Sequence, residues 1–346
     1  MSFQILPVEL IDHVAHYLHP TDLVALSMIN SYLYFVAQRW LYRQITLNYS
    51  SNNLLVVFTL AQKPHLARYV RTFSIRLGSY SVLSSFYRLL RTALSNMSQL
   101  TSLDIFLDHA ASWVMHTRDD STYHCLERFA SSFHIDHHLI HFLQKTNALL
   151  ELEVDSLPPA TVIPSLGPNA LPRLSQFTGS PRAAQYVVPG HPVESIHLNS
   201  GDLTEDVMES LVKSTAHVLL LAAATTSHSV SLIGTLTQCM DHLVHLRIVT
   251  TLNFLEPPDA VSTYSYHTSS FFLYFSHHPT LQSYFVNISN ALRSLPDLRT
   301  CEIWGIHWVS SKNDFHDEET VWESEPFNRP GGDQLENLCP DFYFAT

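Results

Sequence analysis

The chain has 346 residues, 46% of them apolar and only 14% charged, with a formal net charge of -12. Such a composition belongs to a folded, core-rich protein of two or three domains, or one elongated one. The acidic balance argues against a protein whose main task is gripping phosphate backbones, and with nine glycines and no GxGxxG, GxxxxGK[ST] or GxSxG the common nucleotide and hydrolase signatures are missing too.

The first residues, MSFQILPVEL, lack the cationic head of a secretory signal, and Glu9, Asp12, His13 and His16 interrupt their apolar character. No stretch approaches the roughly 18 apolar residues of a membrane span; AHVLLLAAA (216–224) comes nearest. Cys125, Cys239, Cys301 and Cys339 are scattered without CxxC spacing, the pattern of free thiols in a reducing compartment. The three N-x-S/T triplets then read as coincidence. The expectation is a cytoplasmic or nuclear protein with no membrane or nucleic-acid partner.

In chain order, Pro7 suits the first turn of a helix. Leu10, Ile11, Val14, Tyr17 and Leu18 follow at helical spacing. Pro20 predicts the end of that helix and Thr21 the N-cap of a second, whose stripe is Leu23, Val24, Leu26 and Ile29. Asn30 and Ser31 punctuate before a third helix bearing Leu33, Val36, Trp40 and Leu41, and the β-rich ITLNY (45–49) leaves it. Three helices in so short a span supply only a few kcal/mol of stability, yet the first is apolar on more than one face. Leu10, Val14 and Leu18 are predicted to point inward, which leaves Leu6, Pro7 and Ile11 without an internal partner. They either pack on the following domain or form a docking surface for another protein.

This segment, LPVELIDHVAHYLHPTDLVALSMINSYLYFVAQRW, resembles the F-box, through Leu6, Pro7, Glu9, Leu10, Val14, Leu18, Asp22, Leu23 and Leu26. The closing LYRQITL (41–47) is similar to a tail frequent in fungal F-box proteins, whereas Ile29-Asn30-Ser31 departs from the usual Val-Cys-Arg/Lys. The resemblance covers residues 5–47. It implies an adaptor of an SCF-type ubiquitin ligase that docks on a Skp-family linker protein and, through it, on a cullin. Leu6, Pro7, Glu9, Leu10 and Ile11 would lie at that interface, with Leu18 and Leu23 contributing or packing just behind it.

Beyond residue 60 the shape apolar-x-x-apolar-x-apolar recurs in VRTFSI (70–75), LTSLDI (100–105), LLELEV (149–154), VESIHL (193–198), VLLLAA (218–223), LVHLRI (243–248) and LRTCEI (298–303), and in part in LSQF (174–177). Most gaps between the middle positions lie near the 20 to 29 residues of leucine-rich repeats, and the two long gaps, 103 to 152 and 246 to 301, are near two units each. Helix-like stretches separate them. The predicted fold is α/β: a small three-helix F-box-like bundle (5–47), then an irregular leucine-rich-repeat-like solenoid (48–310). An α/β domain of alternating strands and helices is the alternative. The repeat's asparagine is missing from every copy, so the turns must satisfy their backbone groups by other means. Pro-rich 157–174 reads as an ordered connection or an extended repeat. From Ser311 the chain is acidic, with nine acids against two bases, and reads as a solvated tail or as a cap folded over the last repeat.

In FHIDHHLIHFL (133–143), His134 with His138 and His137 with His141 are spaced i,i+4, a pattern able to hold zinc beside Asp136 but lacking HExxH. With 22 histidines in the chain, such clusters arise by chance, and surface histidines are the preferred reading. HSVS (228–231) and HDEE (316–319) offer a nucleophile and a base with nothing to position them, and the aromatic run YHTSSFFLYFSHH (266–278) reads as repeat core or as a substrate-binding ridge. The combined expectation is a non-enzymatic substrate-recognition adaptor without metal or cofactor, holding a target protein through its repeats. The alternatives are a repeat scaffold without a ligase link and, more remotely, a metal-dependent hydrolase.

Overall fold

The computed structural model describes residues 6–48, 53–77, 83–117, 122–156, 166–167, 170–225, 230–250, 279–303, 306–312 and 320–325. The protein is a mixed α/β fold with parallel strands joined by helical crossovers, in two compact units, residues 1–174 and 175–346. The run YHTSSFFLYFSHH, the motif HDEE and His228 of HSVS lie outside the described residues, as does most of the Pro-rich stretch.

The first unit opens with α1 (Val8–His16), α2 (Pro20–Ser27) and α3 (Ser31–Leu41). Contrary to the sequence expectation, α2 starts on Pro20 itself, with His19 in the cap position. Proline's fixed φ suits the first helical residue, where the missing N–H costs nothing. Asn30 caps α3, its side chain accepting from Leu33 N at 2.8 Å. The three helices enclose a small core of Ile11, Ala15, Leu23, Leu33 and Val36, flanked by Leu18, Leu26, Trp40 and Leu41. Asp12 Oδ1 accepts from Trp40 Nε1 at 2.6 Å and from the Arg39 guanidinium at 2.5 Å, which pins α1 to α3.

Three residues later the chain enters β1 (Gln44–Asn48). Then come α4 (Leu55–Gln62), α5 (Pro64–Ala67), β2 (Thr72–Arg76), α6 (Ser84–Asn96), β3 (Ser102–Phe106), a 3-10 segment (His109–Met115), β4 (Arg128–His134), α7 (His137–Leu143) and β5 (Glu151–Ser156). Each strand from β1 to β5 pairs in parallel with the next in sequence. Every second side chain of a strand points to the same face, so the register lines up Ile45, Phe73, Leu103, Phe129 and Leu152 as one buried row. These are the middle apolar positions of the sequence pattern, with Ile45 and Phe129 added.

The second unit repeats the plan with β6 (Gln176–Gly179), α8 (Pro181–Val187), β7 (Ser195–Leu198), α9 (Glu205–Leu211), β8 (Leu220–Thr225), α10 (Val230–Cys239), β9 (His245–Thr250), α11 (Pro279–Leu292) and β10 (Thr300–Ile303). Its row is Phe177, Ile196, Leu221, Leu246 and Cys301. Two antiparallel strands, β11 (Ile306–Lys312) and β12 (Thr320–Glu325), are its last described elements. They bury Trp308 and Trp322 to within 3% of full burial, and Ser289 Oγ donates to the Trp322 carbonyl at 3.1 Å. Residues 320–325, part of the acidic stretch, thus form a strand paired with β11.

Paired main-chain donors mark the entry to the strands. The Arg43 carbonyl accepts from Arg71 N and Thr72 N, that of Arg71 from Thr101 N and Ser102 N, that of Thr101 from Glu127 N and Arg128 N, and that of Glu127 from Leu150 N and Glu151 N, all at 2.8 to 3.1 Å. The carbonyls of Ser175, Glu194, Leu219 and Val244 do the same in the second unit. Each turn is therefore stitched to its predecessor by two donors on one oxygen, which answers the requirement that buried backbone groups be paired.

Candidate functional site

The segment from Leu6 to Phe35 carries most of the large apolar side chains exposed among the described residues. Of eighteen large hydrophobic residues exposed among the described residues, eleven lie between Leu6 and Phe35. On α1, Leu10, Val14 and Tyr17 form an outward stripe, at 54%, 59% and 73% exposure. Leu6 and Val8 precede it, Val24 is exposed on α2, and Met28, Ile29, Tyr32 and Phe35 mark the α2–α3 corner. The Tyr17 ring stands edge-on to His13 at 5.3 Å and to His16 at 4.9 Å, while His16 leans on Trp40 at 4.7 Å. Tyr32 Oη reaches back to the Leu6 carbonyl at 3.4 Å. Aromatic and branched side chains held out in this way, beside Glu9, Asp22 and the Asp12–Arg39 pair, make a surface able to bury itself against a partner protein but with no evident chemistry of its own.

The residues expected at this surface divide. Leu6, Pro7, Glu9 and Leu10 are exposed as expected. Ile11 is not: it is 5% exposed and belongs to the helical core, as does Leu23. Leu18 packs against that core from its edge, so Leu18 and Leu23 support the surface from behind. The inward face of α1 is Ile11 and Ala15, and the stripe of Leu10 and Val14 expected inside faces outward. Because Asp12 must reach Trp40 and Arg39 of α3, the adjoining Ile11–Ala15 stripe is turned toward α3. Sequence reasoning also missed Met28, Ile29, Tyr32 and Phe35, although the atypical Ile29-Asn30-Ser31 marked the spot.

The histidine cluster resolves differently from its spacing. His134 ends β4 and stacks on His109 at 4.8 Å, while Asp136 caps α7, accepting from His138 N and Leu139 N at 3.0 and 2.9 Å. His134 and His138 thus share no helix. His138 and His141 instead approach His116, at 5.5 and 5.4 Å between ring centres. Among the described residues no three His, Cys, Asp or Glu are arranged to hold a metal ion, and no helix is long and apolar enough to cross a membrane.

Opposite the apolar row, the first unit shows a polar strand face of Thr72, Ser74, Ser102, Asp104, Arg128 and Glu151. Arg128 sits 3.5 Å from Glu151 and 3.9 Å from Asp104, and Arg76 lies over the Phe106 ring at 4.3 Å. Purely parallel sheets ordinarily have both faces covered; here small hydroxyl and charged side chains keep one face half-exposed. No protein-family model matches the sequence, and no curated protein shows significant similarity to it.

Proposed function

We propose that the chain is a two-ended adaptor. The helices α1 to α3 form an F-box-like domain that docks on a Skp-family linker protein, and through it on a cullin. The strands and crossovers that follow form a leucine-rich-repeat-like solenoid whose polar strand face holds a target protein. The chain supplies no catalytic group in this reading. It raises the concentration of the target near a ubiquitin-conjugating enzyme, so its contribution is proximity. The observation that carries the reading is the crowding of exposed apolar side chains on α1 to α3 around a core too small to have use for them.

The test is co-purification of the full chain with a Skp-family linker. Leu10→Asp and Val14→Asp are expected to abolish capture while circular dichroism and the denaturation midpoint stay unchanged. A scaffold without a ligase link is the second reading, favoured by the short path from α3 into β1, which suits a helical cap on the first strand. It gains if the wild-type chain captures no linker and the two substitutions unfold it.

A further inference from the structure

The charges of the chain are unevenly placed. From Leu23 to Leu103 there are eight bases and no acid, although the chain as a whole stands at -12. Even with Glu9, Asp12 and Asp22 counted, the first 103 residues are net positive, whereas residues 104–346 hold 28 acids against eleven bases. No Lys/Arg run marks the block; the fold does the gathering. Arg43 leads into β1, and its carbonyl accepts from Arg71 N at 2.8 Å. Arg71 leads into β2, Arg68 ends α5 three residues earlier, and Lys63 begins that single-turn helix. The four bases thus collect at the N-terminal edge of β1 and β2. Arg43, Lys63 and Arg68 are exposed there, and Arg71 is half-buried.

Carboxylates of the chain leave this edge open. Arg43 lies over the Trp40 ring at 4.8 Å, and Arg71 Nη1 donates to the Gln99 side-chain oxygen and carbonyl at 2.9 and 3.0 Å. Among the described residues only Arg39 of the eight bases forms an ion pair, with Asp12. Glu9 and Asp22 lie in the first turns of α1 and α2, Asp104 is on the strand face 3.9 Å from Arg128, and Glu127 is two strand entries beyond Arg71. The edge also adjoins the docking surface. Tyr17 of the outward stripe meets His16 at 4.9 Å, His16 meets Trp40 at 4.7 Å, and Trp40 carries Arg43. An apolar centre bordered by charge is the layout of a protein–protein interface. A nucleic-acid backbone would leave Leu10 and Val14 in water, and the acidic remainder of the chain repels it.

We propose that the edge formed by Arg43, Lys63, Arg68 and Arg71 receives an acidic segment, rich in Asp and Glu, of the protein that docks on α1 to α3. Its carboxylates pair with cations that have no acid of their own, and the long-range attraction speeds association more than it slows release. The identity of that protein as a Skp-family linker rests on the docking reading above; the charge it must carry does not.

Two measurements on the full chain test it. In the first, labelled decaglutamate is titrated at low salt and followed by fluorescence anisotropy. Saturable binding is expected, fading as added salt screens the charges. Arg43→Gln combined with Arg68→Gln is expected to weaken it about fivefold, the loss of two exposed ion pairs. Arg182→Gln, at an exposed arginine of α8, is expected to change nothing. In the second, stopped-flow mixing with a Skp-family linker is expected to show the double variant associating about fivefold more slowly, with little change in the dissociation rate. Peptide binding that is absent, or equal in the double variant and the wild type, overturns the proposal, as do equal association rates with the linker. Tighter saturable binding of a single-stranded RNA than of decaglutamate overturns it too. Should the double variant fail to fold, Lys63→Gln with Arg68→Gln takes its place in both arms. If the wild-type chain binds no linker, the docking reading falls and the peptide arm alone decides the edge.

Discussion

Trp40 donates its indole N–H to Asp12 Oδ1 at 2.6 Å, across 28 positions of sequence. That bond, with the neighbouring Arg39 contact, decides which side of α1 faces inward. Asp12→Ala is expected to cost about 1–3 kcal/mol, because it leaves two donors without their shared acceptor. Arg39 and Asp12 are partly solvated, at 43% and 31% side-chain exposure, so the ionic part is small and screened. Urea denaturation in low and high salt separates the two: nearly equal losses mark the hydrogen bonds as dominant.

Adjacent residues of α1 should respond in opposite ways to the same substitution. Ile11→Asp places a charge in the helical core and is expected to destabilise by several kcal/mol. At exposed Leu10 the same change is expected to stay within about 0.5 kcal/mol. Thermal unfolding of the pair checks the orientation of the helix independently of any partner.

His197 lies in β7, 4% exposed, with Ser195 Oγ 3.0 Å from its Nε2. Burial pushes its imidazole down to about 4, against about 6.5 in an unfolded chain. The unfolded state therefore takes up the proton first. The contribution to stability is fully present above about pH 6.5 and is lost as the pH falls toward 4, reaching about 2 kcal/mol by pH ~5. His197→Gln has no such titration. Urea midpoints at the two ends of this range should fall further for the native chain than for the variant.

Phe129 is fully buried in β4 and lies 5.1 Å from the Phe142 ring. Phe129→Ala is expected to cost about 3–5 kcal/mol through the cavity it leaves. A loss below about 1 kcal/mol in chemical denaturation would remove β4 from the core.

The strand pattern was legible because a buried row needs the same residue types at the same place in every copy. All eight recognised hexamers or part-hexamers enter a strand at their third residue, and Phe73 through Cys301 align as one row within each unit. β4 escaped because Ser131, 2% exposed, holds the third apolar place of its pattern, although Leu126 and Phe129 hold the first two. The face of α1 was harder to read. Leu10–Val14 and Ile11–Ala15 are adjoining stripes of similar hydrophobicity, and only the partner of Asp12 on a distant helix chooses between them. The histidine spacing misled for a local reason: Asp136 is a better N-cap than helix interior, so the helix begins after it and His134 is left on a strand. Outward side chains at Met28 and Phe35 depend on what does not touch them, which periodicity alone does not report.

The paired donors on each turn's carbonyl have an evolutionary corollary. Since the accepting oxygen belongs to the polypeptide itself, Arg43, Arg71, Thr101, Glu127 and their counterparts can be exchanged for residues other than proline without removing these bonds. Pairing that rests on main-chain oxygens places its demand on backbone spacing rather than on side-chain identity at these positions.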